Sequence, residues 1–234
     1  GIPEEIVTRS SIRAALCQAA RNRDDPNWTM LAIEAFQLDE TDEQVRLNWA
    51  EAVLELEIRN NAQSAQGGIS AFPVFADLEA AAEILFQDCI FKRSRFSLAT
   101  IHNAGLTLRL VNRDEDAKRV LEMGLVLYPG EPSISLQMAV IAHEARDFDQ
   151  VMSLLDAKSQ HPEALALRAE AMAHALDPAK ALEQLESIDQ TGWLEEHQLM
   201  MLSSEMAALS KMGDWATAVL KCNQAIERHP KSIR

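Results

Sequence analysis

Small and apolar residues recur along the second half of the chain in a fixed order. Gly105, Ala139, Ala169 and Met206 are each followed 12 residues later by Ala117, Val151, Ala181 and Ala218. Four residues further on come Leu121, Leu155, Leu185 and Cys222, and four residues before each first mark stand Ile101, Ser135, Leu165 and Leu202. Steps of four place side chains on one helix face, so each segment reads as two helices that meet through small residues. Between the helices lie turn residues: Asp147-Phe148, Asp177-Pro178 and Gly213-Asp214-Trp215. Pro129, Pro162 and Pro230, separated by 33 and 68 residues, keep the same time and begin or end helices because proline cannot continue the ladder. The pattern predicts helix–turn–helix units of about 34 residues, with turns near 112–114, 146–148, 176–178 and 212–214. Ile101, Leu121, Leu155, Leu165 and Leu185 are the expected core, and Trp215 is expected to be buried against the first helix of its own pair.

The first 96 residues are helical but less regular. Pro3, Glu4 and Glu5 suit a helix start, with Ile6, Ile12, Leu16, Ala19 and Ala20 as its apolar stripe. After Asp25-Pro26, a second helix follows through Trp28, Leu31, Ala32, Ala35 and Leu38, so that residues 9–40 read as a degenerate copy of the unit. Thr41, followed by Glu43 and Gln44, is the expected cap of a third helix through Leu47, Ala50, Val53, Leu54 and Leu56. Residues 60–76 read as a loop, and a fourth helix runs from Asp77 to about Phe91.

These marks resemble the tetratricopeptide repeat. The best copy is Met212-Gly213-Asp214-Trp215-Ala216-Thr217-Ala218-Val219 through Ala225-Ile226-Glu227-Arg228-His229-Pro230, followed by Asn103-Ala104-Gly105-Leu106 with Ala117, Leu121, Gly124 and Pro129. The middle copies depart from the pattern. Lys158 and Ile188 stand where a small residue is usual, the third unit is short, and Met206 replaces a small residue. The resemblance spans residues 97 to 231. It implies an all-α, right-handed superhelical α-solenoid of antiparallel helix pairs, with 11 or 12 helices. Residues 97–234 are read as four repeats and 1–96 as an irregular helical part, together one continuous solenoid cut from a longer protein.

Composition narrows the function. Lys and Arg number 22 against 36 for Asp and Glu, a net charge of −14. Nucleic-acid binding requires a basic surface, so no nucleic-acid partner is expected. No apolar run approaches the length of a membrane span. Gly1 to Glu5 carry no leader pattern, which points to the cytoplasm, with the periplasm as the alternative where a leader preceded Gly1. Cys17, Cys89 and Cys222 are too far apart for a disulfide framework or metal knuckle.

No phosphate loop, His-Glu-x-x-His helix or nucleophile elbow is present. His143-Glu144 has no second ligand one turn away. No catalytic residue, metal or cofactor is assigned. Stacked first helices in such repeats line a concave groove, and the register places His102, Leu106, Arg109, Leu136, Val140, His143, Glu163, Ala166, Glu170, His174, Ser203, Ala207 and Lys211 there, with Asn103 beside them. His143 and His174 fall near the ends of consecutive first helices, where they bind an acidic group or cap a helix end. Relatives that grip C-terminal carboxylates use lysines and an asparagine on this face. Asn103 matches, but the accompanying lysines are missing.

A secondary surface comprises Phe72 and Phe75, from the loop, and the cations Lys92, Arg93 and Arg95. The expected function is non-catalytic: a scaffold or adaptor holding a protein or peptide partner, with some basic character given the acidic field. Self-association through an uncapped last repeat is a further expectation. The rival readings are a regulatory segment of a larger enzyme, such as a glycosyltransferase or signalling protease, and a cell-envelope assembly factor.

Overall fold

The computed structural model describes residues 9–65, 75–91, 97–156, 159, 161–175 and 177–228. Among these residues it is all-α, with twelve helices in six consecutive pairs and no strand. The pairs are α1 (Arg9–Arg21) with α2 (Trp28–Leu38), α3 (Glu43–Ala65) with α4 (Phe75–Phe91), and α5 (Leu98–Leu110) with α6 (Asp114–Leu127). Then follow α7 (Pro132–Glu144) with α8 (Phe148–Leu154), α9 (Pro162–Ala175) with α10 (Pro178–Glu186), and α11 (Glu195–Met212) with α12 (Trp215–Arg228).

Contacts divide the chain into two compact units, Gly1–Tyr128 and Pro129–Arg234. In the first, α1, α3 and α5 pack in succession and each also packs on its even-numbered partner. In the second, α7 lies against α9 and α9 against α11, while α8 fills in on α9 and α10 on α11. Each unit is therefore a stack of helical hairpins in which the first helices stand side by side.

The turns repeat atom for atom. The N–H groups of Asp25, Arg113, Asp147, Asp177 and Asp214 each donate to the carbonyl five residues back, at 2.8–3.0 Å. This bond closes the last turn of a helix over a left-handed residue. Asp24, Asn112, Arg146 and Gly213 occupy that conformation, with φ of 54°, 59°, 60° and 74°. The aspartates then cap the next helix: Asp147 accepts from Gln150 N–H, Asp177 from Ala179 and Lys180, and Asp214 from Thr217. This accounts for the acidic residues seen in the turns, because one carboxylate satisfies amides that a helix start leaves unpaired.

The core follows the repeat marks. Ile101, Leu121, Leu155, Leu165 and Leu185 are buried, and so are Ala117, Val151, Ala181 and Ala218 at the helix contacts. Arg168 on α9 donates to the carbonyls of Met152 and Leu155, both at 3.1 Å. It thereby satisfies the open end of the seven-residue α8.

Several expectations are corrected. Trp215 is 64% exposed. It is the first residue of α12, where a side chain leans past the helix N-terminus, and α12 meets α11 through the small residues Ala218 and Ala225. Among the described residues α11 is the one helix that packs on α12, so Val219, Leu220 and Ile226 are exposed too. Ile12 and Leu16 are also exposed, because α1 turns Ala14 and Cys17 inward beside the expected Ala20, and these small residues allow close approach. The cap of α3 is Asp42, which accepts from Val45 N–H at 2.9 Å, while Thr41 bonds to Asp39. Helix α3 continues to Ala65 and α4 begins at Phe75, so the expected loop is shorter at both ends. Phe72, Lys92, Arg93 and Arg95 lie outside the described residues, as do Pro3 to Ile6 and Pro230. Nothing is described for the side chain of Phe75.

Candidate functional site

Each first helix from α5 onward ends in a cation or histidine: Arg109 on α5, His143 on α7, His174 on α9 and Lys211 on α11. Positive charge is favoured at these positions because helix carbonyls converge there. In the second unit the packing of α7 on α9 and α9 on α11 brings three such ends together. Small residues make this approach close. Ser204 on α11 sits 1% exposed and its hydroxyl donates to the Ala166 carbonyl of α9 at 3.0 Å.

The resulting cluster has a defined geometry. His143 Nε2 lies 3.2 Å from Glu170 Oε1, pairing α7 with α9 through side chains that are each 24% exposed. One turn beyond Glu170, the exposed His174 lies on the ring of Phe148, with centroids 4.6 Å apart and planes 11° from parallel. The His143 ring meets the same phenylalanine edge-on at 6.0 Å. Phe148 opens α8 and packs against the buried Ala139, Val151 and Leu155 group, so it is a fixed platform.

The two histidines sit in opposite electrostatic surroundings. The Glu170 carboxylate 3.2 Å away raises the His143 pKa above that of an ordinary histidine, and the same contact lowers that of Glu170. His174 is pushed down, first by partial burial and then by the charge of Lys211, with His143 and Arg146 acting in the same sense and Glu170 against them. An imidazole held against a hydrophobic ring among cations favours its neutral form.

The expected groove residues fall in both units. His102, Asn103, Leu106 and Arg109 lie on α5 in the first unit, whereas the others lie in the second. Leu136 and Val140 pack, partly buried, against the Ala139–Leu155 core, and Ala166, also expected in the groove, is buried. Ser203 is exposed on α11 two turns before Lys211. The residues brought together by direct contact are His143, Glu170 and His174, and sequence reasoning missed the side chain that joins them, Phe148. Its signal was present as the ring directly after the Asp147 turn.

The second unit also has a cleft of about 230 Å³ on α11 and α12, with Leu202, Glu205, Lys221 and Arg228 in its wall. Lys221 there is neutralised by Glu205 at 2.8 Å and Glu186 at 3.3 Å. Among the described residues no group of three His, Cys, Asp or Glu side chains is arranged to hold a metal ion. No helix among them is long and apolar enough to cross a membrane.

No protein-family model matches the chain, and no curated protein matches it. Among solved structures it is similar to that of pilF from Pseudomonas aeruginosa, a protein containing tetratricopeptide repeats, at 14% identity and a TM-score of 0.59. The match covers 96% of this chain and 93% of that one. At this identity the likeness shows the fold alone, an all-α array of helical hairpins.

Proposed function

We propose that this chain is a non-catalytic interaction module that holds a peptide or protein partner against the ends of its first helices. The observation that carries the reading is the Phe148–His174 stack, flanked by the His143–Glu170 pair and by Lys211, on three helices packed side by side. Rigid rings beside charged groups with open edges suit recognition of another chain. The α5 residues His102, Asn103, Leu106 and Arg109 offer the corresponding face of the first unit. The net charge of −14 steers partners with some basic surface toward the chain at long range.

Capture of partners by the native full-length protein tests this reading. His174→Ala combined with Lys211→Glu should weaken retention of a captured partner by about tenfold, roughly 1.4 kcal/mol, with an unchanged melting curve. Retention equal to wild type, with loss instead on substitution along α12, would place the working surface elsewhere.

A further inference from the structure

We propose that the step between the α7–α8 hairpin and α9 is a pH-sensitive hinge, pinned at one end of α8 by Arg168 and tied at the other by His143 and His174. The inference concerns motion within the second unit and holds whatever the face binds. The two ends are held by different chemistry. At the C-terminal end of α8 the Arg168 guanidinium donates to the Met152 and Leu155 carbonyls, both at 3.1 Å, and a guanidinium does not titrate in a protein. At the other end, further along α9, both ties run through imidazoles. His143 lies 3.2 Å from Glu170, and His174 stacks on Phe148 at 4.6 Å. Histidine is the side chain whose charge changes near neutral pH. Apolar packing is uneven in the same direction. Leu155 and Leu167 lie in the core beside the Arg168 end, whereas toward the histidine end α7 and α9 meet through Ala142 and Ala171, which bury little area. With seven residues, α8 is too short to hold its own ends.

The two histidines respond in opposite senses. The Glu170 carboxylate favours protonated His143, so this tie is complete below pH 6.5 and is lost as pH rises through the raised folded value. Partial burial, then the charge of Lys211, favours neutral His174, so that tie is complete above pH 6.5 and is lost as pH falls through the lowered folded value. The histidine end is therefore tightest near pH 6.5 and loosens on both sides, while the Arg168 end does not respond. The other charges around the rings leave these signs in place. Glu144 on α7 acts on His143 in the same sense as Glu170, and Arg146 and His143 act on His174 in the same sense as Lys211, against Glu170. From α8 the rings meet the uncharged Phe148, while Asp147 caps α8 and Asp149 is exposed. Asp177, before α10, is engaged with the N–H groups of Ala179 and Lys180.

Hydrogen exchange of the full-length protein from about pH 5 to about pH 8.5, corrected for intrinsic exchange and read by mass spectrometry, tests the hinge. Protection across the end of α7 and the start of α8 should peak near pH 6.5, falling about fivefold by the alkaline limit and about threefold by the acid one. Protection at the start of α9 and in α11 should stay level. His143→Gln or Glu170→Gln should remove the alkaline fall, and His174→Gln the acid one. Should a variant lose helicity, the wild-type ratio between the two ends of α8 across pH decides alone. Protection that does not vary with pH, a fall shared equally by α11, or falls that survive in both histidine variants would overturn the proposal.

Discussion

His174 and Phe148, 26 residues apart in sequence, stack face to face at 4.6 Å and tie the exposed end of α9 to the first residue of α8. Phe148 anchors in the core, whereas His174 shows its other side to solvent. The two partners should therefore respond differently to truncation. Phe148→Ala should cost about 2–4 kcal/mol in urea unfolding, as expected for a core-contacting aromatic, and His174→Ala less than about 1 kcal/mol. In the Phe148→Ala protein the His174 titration, followed by NMR, should move up toward the ordinary histidine value, because the ring that partly buries it is gone.

The His143–Glu170 pair makes stability depend on pH with a defined sign. His143 has its pKa raised above 6.5, so its contribution is complete below 6.5 and is lost as pH rises through the folded value. Glu170 is lowered from 4.5, so its contribution is complete above 4.5 and is lost as pH falls through the folded value. The stability difference between wild type and His143→Ala should thus be greatest between these limits, at about 1 kcal/mol for a partly exposed pair, and shrink on both sides. Denaturant melts across the range measure it directly, and a difference independent of pH would show that the pair is not charged.

Turn geometry sets the sign of a stability change at two matching residues. Arg146 holds φ of 60°, which a residue with a Cβ adopts at some cost, and Gly213 holds φ of 74° at the matching turn. Arg146→Gly should raise stability by about 0.5–1 kcal/mol, and Gly213→Ala should lower it by about 1 kcal/mol.

The exposure of Trp215 changes the expected outcome there. Trp215→Ala should cost less than about 1 kcal/mol, and Trp215 fluorescence should be accessible to aqueous quenchers.

What the sequence disclosed was the part of the fold that repeats. The small-residue contacts at Ala139, Val151, Ala169 and Ala181, and the turns near 112, 146 and 213, follow from spacing alone because every copy needs the same close approach and the same helix end. Trp215 was misplaced because its burial depends on a neighbour that the helix's own pattern does not specify. Ile12 and Leu16 misled for a related reason: on α1 the face lined by Ala14 and Cys17 won the interior, since close packing favours small side chains over the larger ones. The site was half legible. Helical register placed His143, Glu170 and His174 on one side of the pairs, but the stack on Phe148 depends on where α8 starts relative to α9, which is a tertiary relation.

The central claim, that partners seat on the first-helix face of the second unit, is tested most directly by site-specific photo-crosslinking in the native full-length protein. Benzoylphenylalanine placed at Ser203, exposed on α11 on the Lys211 side, should capture the partner, while the same probe at Asn223, exposed on α12, should not. Crosslinks from Asn223 and none from Ser203 would contradict the account.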